Sequence, residues 1–240
     1  MEQTKSNDFS QGSVAKNILS IALPMTLAQL INVLYSVIDR MYIGRIPEAA
    51  TLALTGIGLT LPIVSMIMAF SFLFSTGGAP LCSIARGEGN DAKAEQIMGT
   101  SMTMLVLIGA VLTVVLFIFK KPLLYLLGAS DMTFPYANEY LSIYLIGTVF
   151  VMISLGMNSF INAQGFARMG MLTILIGAIL NIILDPVFIF VLNMGVQGAA
   201  LATIISQGVS AIWVVRFLSG KKAILRLKRS MLKPDLKLTG

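Results

Sequence analysis

Asp185 lies in a run of apolar residues, Met171 to Val191, that carries no other charged side chain. A charge inside such a run costs about 2.5–3.5 kcal/mol on insertion scales and marks a functional site by default. Asn181 sits one helical turn before it, on the same face. Pro186 follows directly; it has no N–H to give, so the Ile182 carbonyl is released. A carboxylate, an amide oxygen and a free carbonyl thus meet within one turn. Three hard oxygens suit a proton or a small cation such as Na+, held at Asp185 and Asn181. The plainer role for Asp185 is a hydrogen bond to a neighbouring helix.

A second polar stripe occupies the first apolar run. Gln29, Asn32, Ser36 and Asp39 recur at helical spacing, with Tyr35 beside them. Pro24 in the same run predicts a break at the Ser20 carbonyl. Asp39 has a competing role as an interfacial acid paired with Arg40 or Arg45. Two more runs carry uncharged polar faces: Ser154, Asn158 and Asn162 in one, Thr203, Ser206, Gln207 and Ser210 in another. Each such residue taken singly is more simply glue between helices, worth about 0.6 kcal/mol. Four polar faces with acids on two of them favour a water-accessible cavity, with Tyr35, Asn32, Ser36, Asn158, Thr203 and Gln207 as its candidate lining.

Other chemistry is excluded or weak. The chain has no histidine and one cysteine, Cys82, so disulfides, Cys/His zinc sites and His-dependent triads are excluded. No nucleophile–base pair is visible, and an enzyme is not expected. No Gly-x-x-x-x-Gly-Lys-Ser/Thr motif offers a phosphate loop. Gly87-Glu88-Gly89-Asn90-Asp91-Ala92 has the outline of a dinucleotide fingerprint. It falls between two apolar runs rather than after a strand, and is set aside. No cofactor is expected beyond a coupling ion.

The elements that must position these groups are membrane helices. The 240 residues are 56% hydrophobic and 12% charged, about half the charge of an ordinary soluble domain. Six apolar stretches reach the roughly 20 residues needed to cross a bilayer. They are Ile18 to Ile38, Leu52 to Phe74, Ile97 to Phe119, Leu141 to Ile161, Met171 to Val191 and Val196 to Leu218. They are too long for barrel strands. The first is too long for a signal-peptide core and is read as a retained helix. The fold class is therefore an all-α membrane protein, a six-helix bundle over residues 18–218. A tail precedes it over 1–17 and a basic linker follows over 219–240. Of the 17 Lys and Arg, 13 fall on the side that holds both termini and 4 on the other. The positive-inside rule then places both termini in the cytoplasm of a cell membrane. The run from Lys221 to Lys237 reads as a topology signal and contact for anionic lipid; with no interleaved aromatics, it is not expected to bind nucleic acid.

Three passages resemble the multidrug and toxic compound extrusion (MATE) family. One is the first run with Pro24 and the end Asp39-Arg40-Met41-Tyr42-Ile43-Gly44-Arg45; another is Leu180 to Phe190, with Asn181, Asp185 and Pro186. The last is Gly195 to Thr203, running into Ile204-Ile205-Ser206-Gln207. The resemblance covers essentially the whole chain and corresponds to the N-terminal lobe of a twelve-helix transporter. It implies export of organic cations and amphipathic drugs in exchange for H+ or Na+. Asp39 and Asp185 would then bind the coupling ion, Asn181 would be their amide partner, and Tyr35, Asn158 and Thr203 nearby polar groups. The resemblance also implies a missing second six-helix lobe, or a second copy in its place. Flipping of lipid-linked saccharides is an alternative, disfavoured because no Lys or Arg lies deep in a run to meet pyrophosphate. A non-transporting membrane scaffold is the other.

Overall fold

The computed structural model describes residues 13–47 and 49–231, and these are helical throughout apart from short connections. Most of the expected tail and the last stretch of the basic segment, 232–240, lie outside the described residues. The helices are α1 (Val14–Ile43), α2 (Ala50–Gly87), α3 (Asp91–Leu126), α4 (Phe134–Ile146), α5 (Thr148–Ala163), α6 (Ala167–Pro186) and α7 (Gly195–Ser219). Among the described residues five helices are long and apolar enough to cross a bilayer, and the bent pair α4–α5 reaches that length and hydropathy when taken together. Lipid offers no partner for a free N–H or C=O, so a chain of this composition can span only as helices or a closed barrel.

The bundle has an inside-out surface. Leu126, Ile118, Val191 and Ile212 are each more than 60% exposed, while the interior is built from Ala, Leu, Ile, Met and Phe. Helices α2, α3, α5 and α7 pack on one another around Met98, Leu105, Met152, Met157 and Phe160. Helix α1 stands at the edge and is seated mainly on α6.

Several elements differ from the simple runs read in the sequence. Helices α2 and α3 extend well beyond their apolar stretches and meet at a tight turn. Gly89 takes φ 76° there, and the Asn90 side chain caps α3 by accepting from the Lys93 N–H at 3.0 Å. The dinucleotide-like outline is this turn. Pro24 lies inside α1, which runs as one helix from Val14 to Ile43. Pro24 and Ala28, four residues apart, are both buried, and this narrow face continues the line toward Asn32, Ser36 and Asp39. At Pro186 the backbone does change, passing from α6 into a π-helical turn over Val187–Val191.

The fourth crossing is not the straight helix expected over Leu141 to Ile161. It begins earlier, at Phe134, and bends by 59° at Gly147. A Cβ at Gly147 would overlap the Ile204 side chain of α7, so glycine lets α7 lie against the bend. Residues 220–231, expected as part of a linker, fold back onto the bundle: Ala223 and Leu225 are fully buried.

Gly147→Ala is therefore expected to destabilise the bundle by about 1–3 kcal/mol through overpacking. Thermal unfolding of the purified protein would register this as a lowered midpoint. Ile204→Ala in the same chain should recover most of the loss; an unchanged midpoint in the single variant would show that α7 has room to spare.

Candidate functional site

The face of α1 that carries Asn32, Tyr35, Ser36 and Asp39 meets α6 near its C-terminal end, where Asn181 and Asp185 are buried. Asp185 has no exposed surface and Asn181 only 2%. The Asp39 and Asp185 carboxyl groups come within hydrogen-bonding reach of each other across the α1–α6 seam. Asp39 makes no ion pair with Arg40 or Arg45; among the described residues the ion pair is elsewhere, between Lys228 and Glu95.

Asn181 organises the α6 side. Its Nδ2 donates to Asp185 Oδ1 at 3.3 Å and approaches Thr203 Oγ1 of α7 at 3.4 Å. Thr203 in turn donates to the Ala199 carbonyl at 3.0 Å, one turn back in its own helix. On the α1 side, Ser36 donates to the Asn32 carbonyl at 2.9 Å. Three buried oxygens are left with no donor: Asp39 Oδ1, Asp185 Oδ2 and Asn181 Oδ1. Buried polar atoms are rarely left unsatisfied. A constellation of carboxylate and amide oxygens without a cationic side chain is what a proton or Na+ would complete.

Two tyrosines of α4 join this site and were not foreseen. Tyr140 lies close to Thr203, Asp39 and Tyr35. Tyr144 stacks on Tyr140 with ring centroids 6.0 Å apart. Their spacing of four was the available signal. Starting the fourth span at Leu141 left Tyr140 outside the membrane segment and hid it.

Asn158 and Gln207 are not brought to the acids. Asn158 Nδ2 donates to the Gly170 carbonyl of α6 at 3.3 Å. Asn162 also lies over Gly170, where a side chain would collide with its amide. Gln207 Oε1 accepts from Ser154 of α5 at 2.7 Å, and Ser210 donates to the Thr173 carbonyl of α6 at 3.2 Å. These contacts form a second polar layer that joins α5, α6 and α7. The polar residues read as one cavity therefore fall into two groups, one around the acids and one in the helix seams.

Apolar spans closing over a pair of acids define a multi-pass membrane protein with a polar site inside it. The MatE family profile matches residues 24–187, and the chain belongs to that family. It is 30% identical over 226 residues to the multidrug export protein MepA of Staphylococcus haemolyticus, a match covering 94% of this chain and 50% of that protein. MepA of Staphylococcus aureus strain NCTC 8325 is 26% identical over 227 residues, again across 50% of its length. The chain thus spans about half the length of the curated relatives it matches. The fold superposes on a crystal structure of MATE in the bent conformation with a TM-score of 0.89 at 24% identity, over 99% of this chain and 53% of that one. An outward-facing multidrug resistance MATE family transporter of the MOP superfamily gives the same TM-score and identity, over 100% and 52%. The all-helical lobe architecture is shared with both.

The division into two polar groups makes an energetic prediction. Ser154→Ala and Gln207→Leu should each destabilise the protein slightly. Their double-mutant cycle should return a coupling of about 0.6 kcal/mol, as for other interhelical hydrogen bonds in lipid. Strictly additive losses would remove Gln207 from the α5–α7 seam.

Proposed function

We propose that this chain is the N-terminal lobe of a secondary antiporter that exports organic cations and amphipathic drugs in exchange for H+ or Na+. The observation that carries the reading is the approach of two acids, Asp39 and Asp185, across the α1–α6 seam with no ion pair to either among the described residues; Arg40 acts on Asp39 only from a distance. The family membership and the printed activity of the MepA relatives support the multidrug part.

The coupling ion in this reading is cargo, and the oxygens of Asp39, Asp185 and Asn181 are its ligands. An ion bound between the carboxyls cancels the negative field that a cationic drug would otherwise meet. Binding of one therefore weakens binding of the other, and exchange follows if each favours a different conformation. An ion without differential affinity for two states would move nothing. Tyr35, Tyr140 and Thr203 border the acids, and Thr203 accepts from Asn181 Nδ2, which in turn donates to Asp185. Protonation or Na+ binding is the only chemical event required, so no enzymatic step enters.

Alternating access needs two lobes around a shared cavity. Helix α1 is seated mainly on α6 and leaves Leu23, Leu30, Leu34 and Met41 exposed, which suits contact with lipid and with a second six-helix lobe or a second copy. The excess of Lys and Arg on the side of both termini supports a cytoplasmic placement of that end in a cell membrane. Flipping of saccharide–pyrophosphate lipids is disfavoured, because the site offers acids where that substrate needs Arg or Lys.

Two outcomes test the reading. Asp185→Asn in the two-lobed protein should abolish ion-gradient-driven efflux from proteoliposomes, since Asn keeps the shape but carries neither charge nor proton. Drug binding should survive in part through apolar contact. Retained coupling would take Asp185 out of the mechanism. Expressed alone, the 240-residue chain should fail to export ethidium; robust export by a monomer would contradict the two-lobe requirement.

A further inference from the structure

Glu95 is buried to 8% exposure in the opening turns of α3, far along the sequence from the acids of the site. A buried carboxylate is costly unless hydrogen-bonded and paired. Both of its oxygens are satisfied by residues beyond α7. Oε1 accepts the Arg226 N–H at 3.2 Å, and Oε2 receives Lys228 Nζ at 2.5 Å.

The segment that supplies these donors is built to lie on the bundle. Between Gly220 and Lys228 it has neither helix nor strand, yet its burial alternates. Ala223 and Leu225 point in and Leu227 is half-buried, while Lys222, Ile224, Arg226 and Lys228 face out. Its backbone is tied at successive residues. Leu225 N–H donates to Gln164 Oε1 at 2.9 Å, and Leu227 N–H donates back to the Leu218 carbonyl of α7 at 2.9 Å. Gln164 caps the end of α5 and is itself buried. One turn of α3 beyond Glu95, Gly99 has no side chain where the Met231 carbonyl passes, and a Cβ there would collide with it.

We propose that residues 220–231 are a latch that Glu95 and Gln164 lock onto the ends of α3 and α5, and that chain leaving this lobe is anchored at Met231 rather than at the last turn of α7. Glu95 is a positioning residue in this scheme, and Gly99 leaves the room in which Met231 lies against α3. The latch is a property of this lobe by itself. Only its consequence rests on the two-lobe reading: a following lobe would swing about a point past Met231, with the latch moving as part of the first lobe.

Hydrogen exchange of the full chain in lipid nanodiscs tests the latch without any transport measurement, so its failure is separable from failure of the antiporter reading. In Glu95→Ala, amides of the 222–229 peptide should exchange faster by on the order of tenfold, the loss expected for hydrogen bonds to a charged acceptor. Peptides from the α5–α6 helices should keep their protection. Glu95→Gln, which retains an oxygen for the Arg226 N–H, should give a smaller rise. Identical exchange of 222–229 in wild type and Glu95→Ala overturns the proposal. Should Glu95→Ala loosen the whole bundle, the decision passes to Lys228→Ala, whose side chain is half exposed. A rise confined to 222–229 supports the latch, and no rise overturns it.

Discussion

The constraint behind the rest of this structure is that a carboxylate with no exposed surface must find its partners inside a bundle made almost wholly of hydrocarbon. Asp185 takes one hydrogen bond from Asn181 and otherwise faces a second acid. Helix α1 matters because it brings that second acid. Its narrow face, buried at Pro24 and Ala28, seats it on α6 closely enough for Asp39 to reach across. Thr203 and Tyr140 extend the same set of contacts to α7 and α4, so four helices converge on two acids. None of these contacts is an ion pair.

Much of this was legible in the sequence because lipid imposes a length rule. Apolar stretches long enough to cross a bilayer can be little other than helices. A lone acid in such a stretch identifies itself, and Asn181 and Asp185 do sit side by side because helical periodicity relates them directly. The polar faces of α5 and α7 were harder to assign. Ser154, Asn158 and Gln207 have the spacing of a cavity wall and equally the spacing of an interhelical seam. Only the neighbour each helix turns toward decides between the two, and that is information about packing rather than period.

The two prolines and the central glycine show the same limit from the backbone side. Pro24 and Pro186 have identical chemistry, yet the first is absorbed within a continuous α-helix and the second is followed by a π-helical turn. Gly147 has no local signature that separates it from other glycines in apolar runs. What it does accommodate is Ile204, far away in the chain, which lies where a side chain would be. Tyr140 is hidden for a related reason, since the apolar run begins at Leu141 while the helix begins seven residues earlier, at Phe134.

The segment after α7 also bears on where this folding unit stops. A cut made at Ser219, where the last long helix ends, would uncover the trough that Ala223 and Leu225 fill and strip both donors from a buried carboxylate. A fragment ended there would carry an orphaned charge and an apolar scar, whatever the integrity of its helices. For anyone fusing a reporter to this lobe or excising it for study, residues 220–231 belong with the helices, and the helix boundary is a misleading guide.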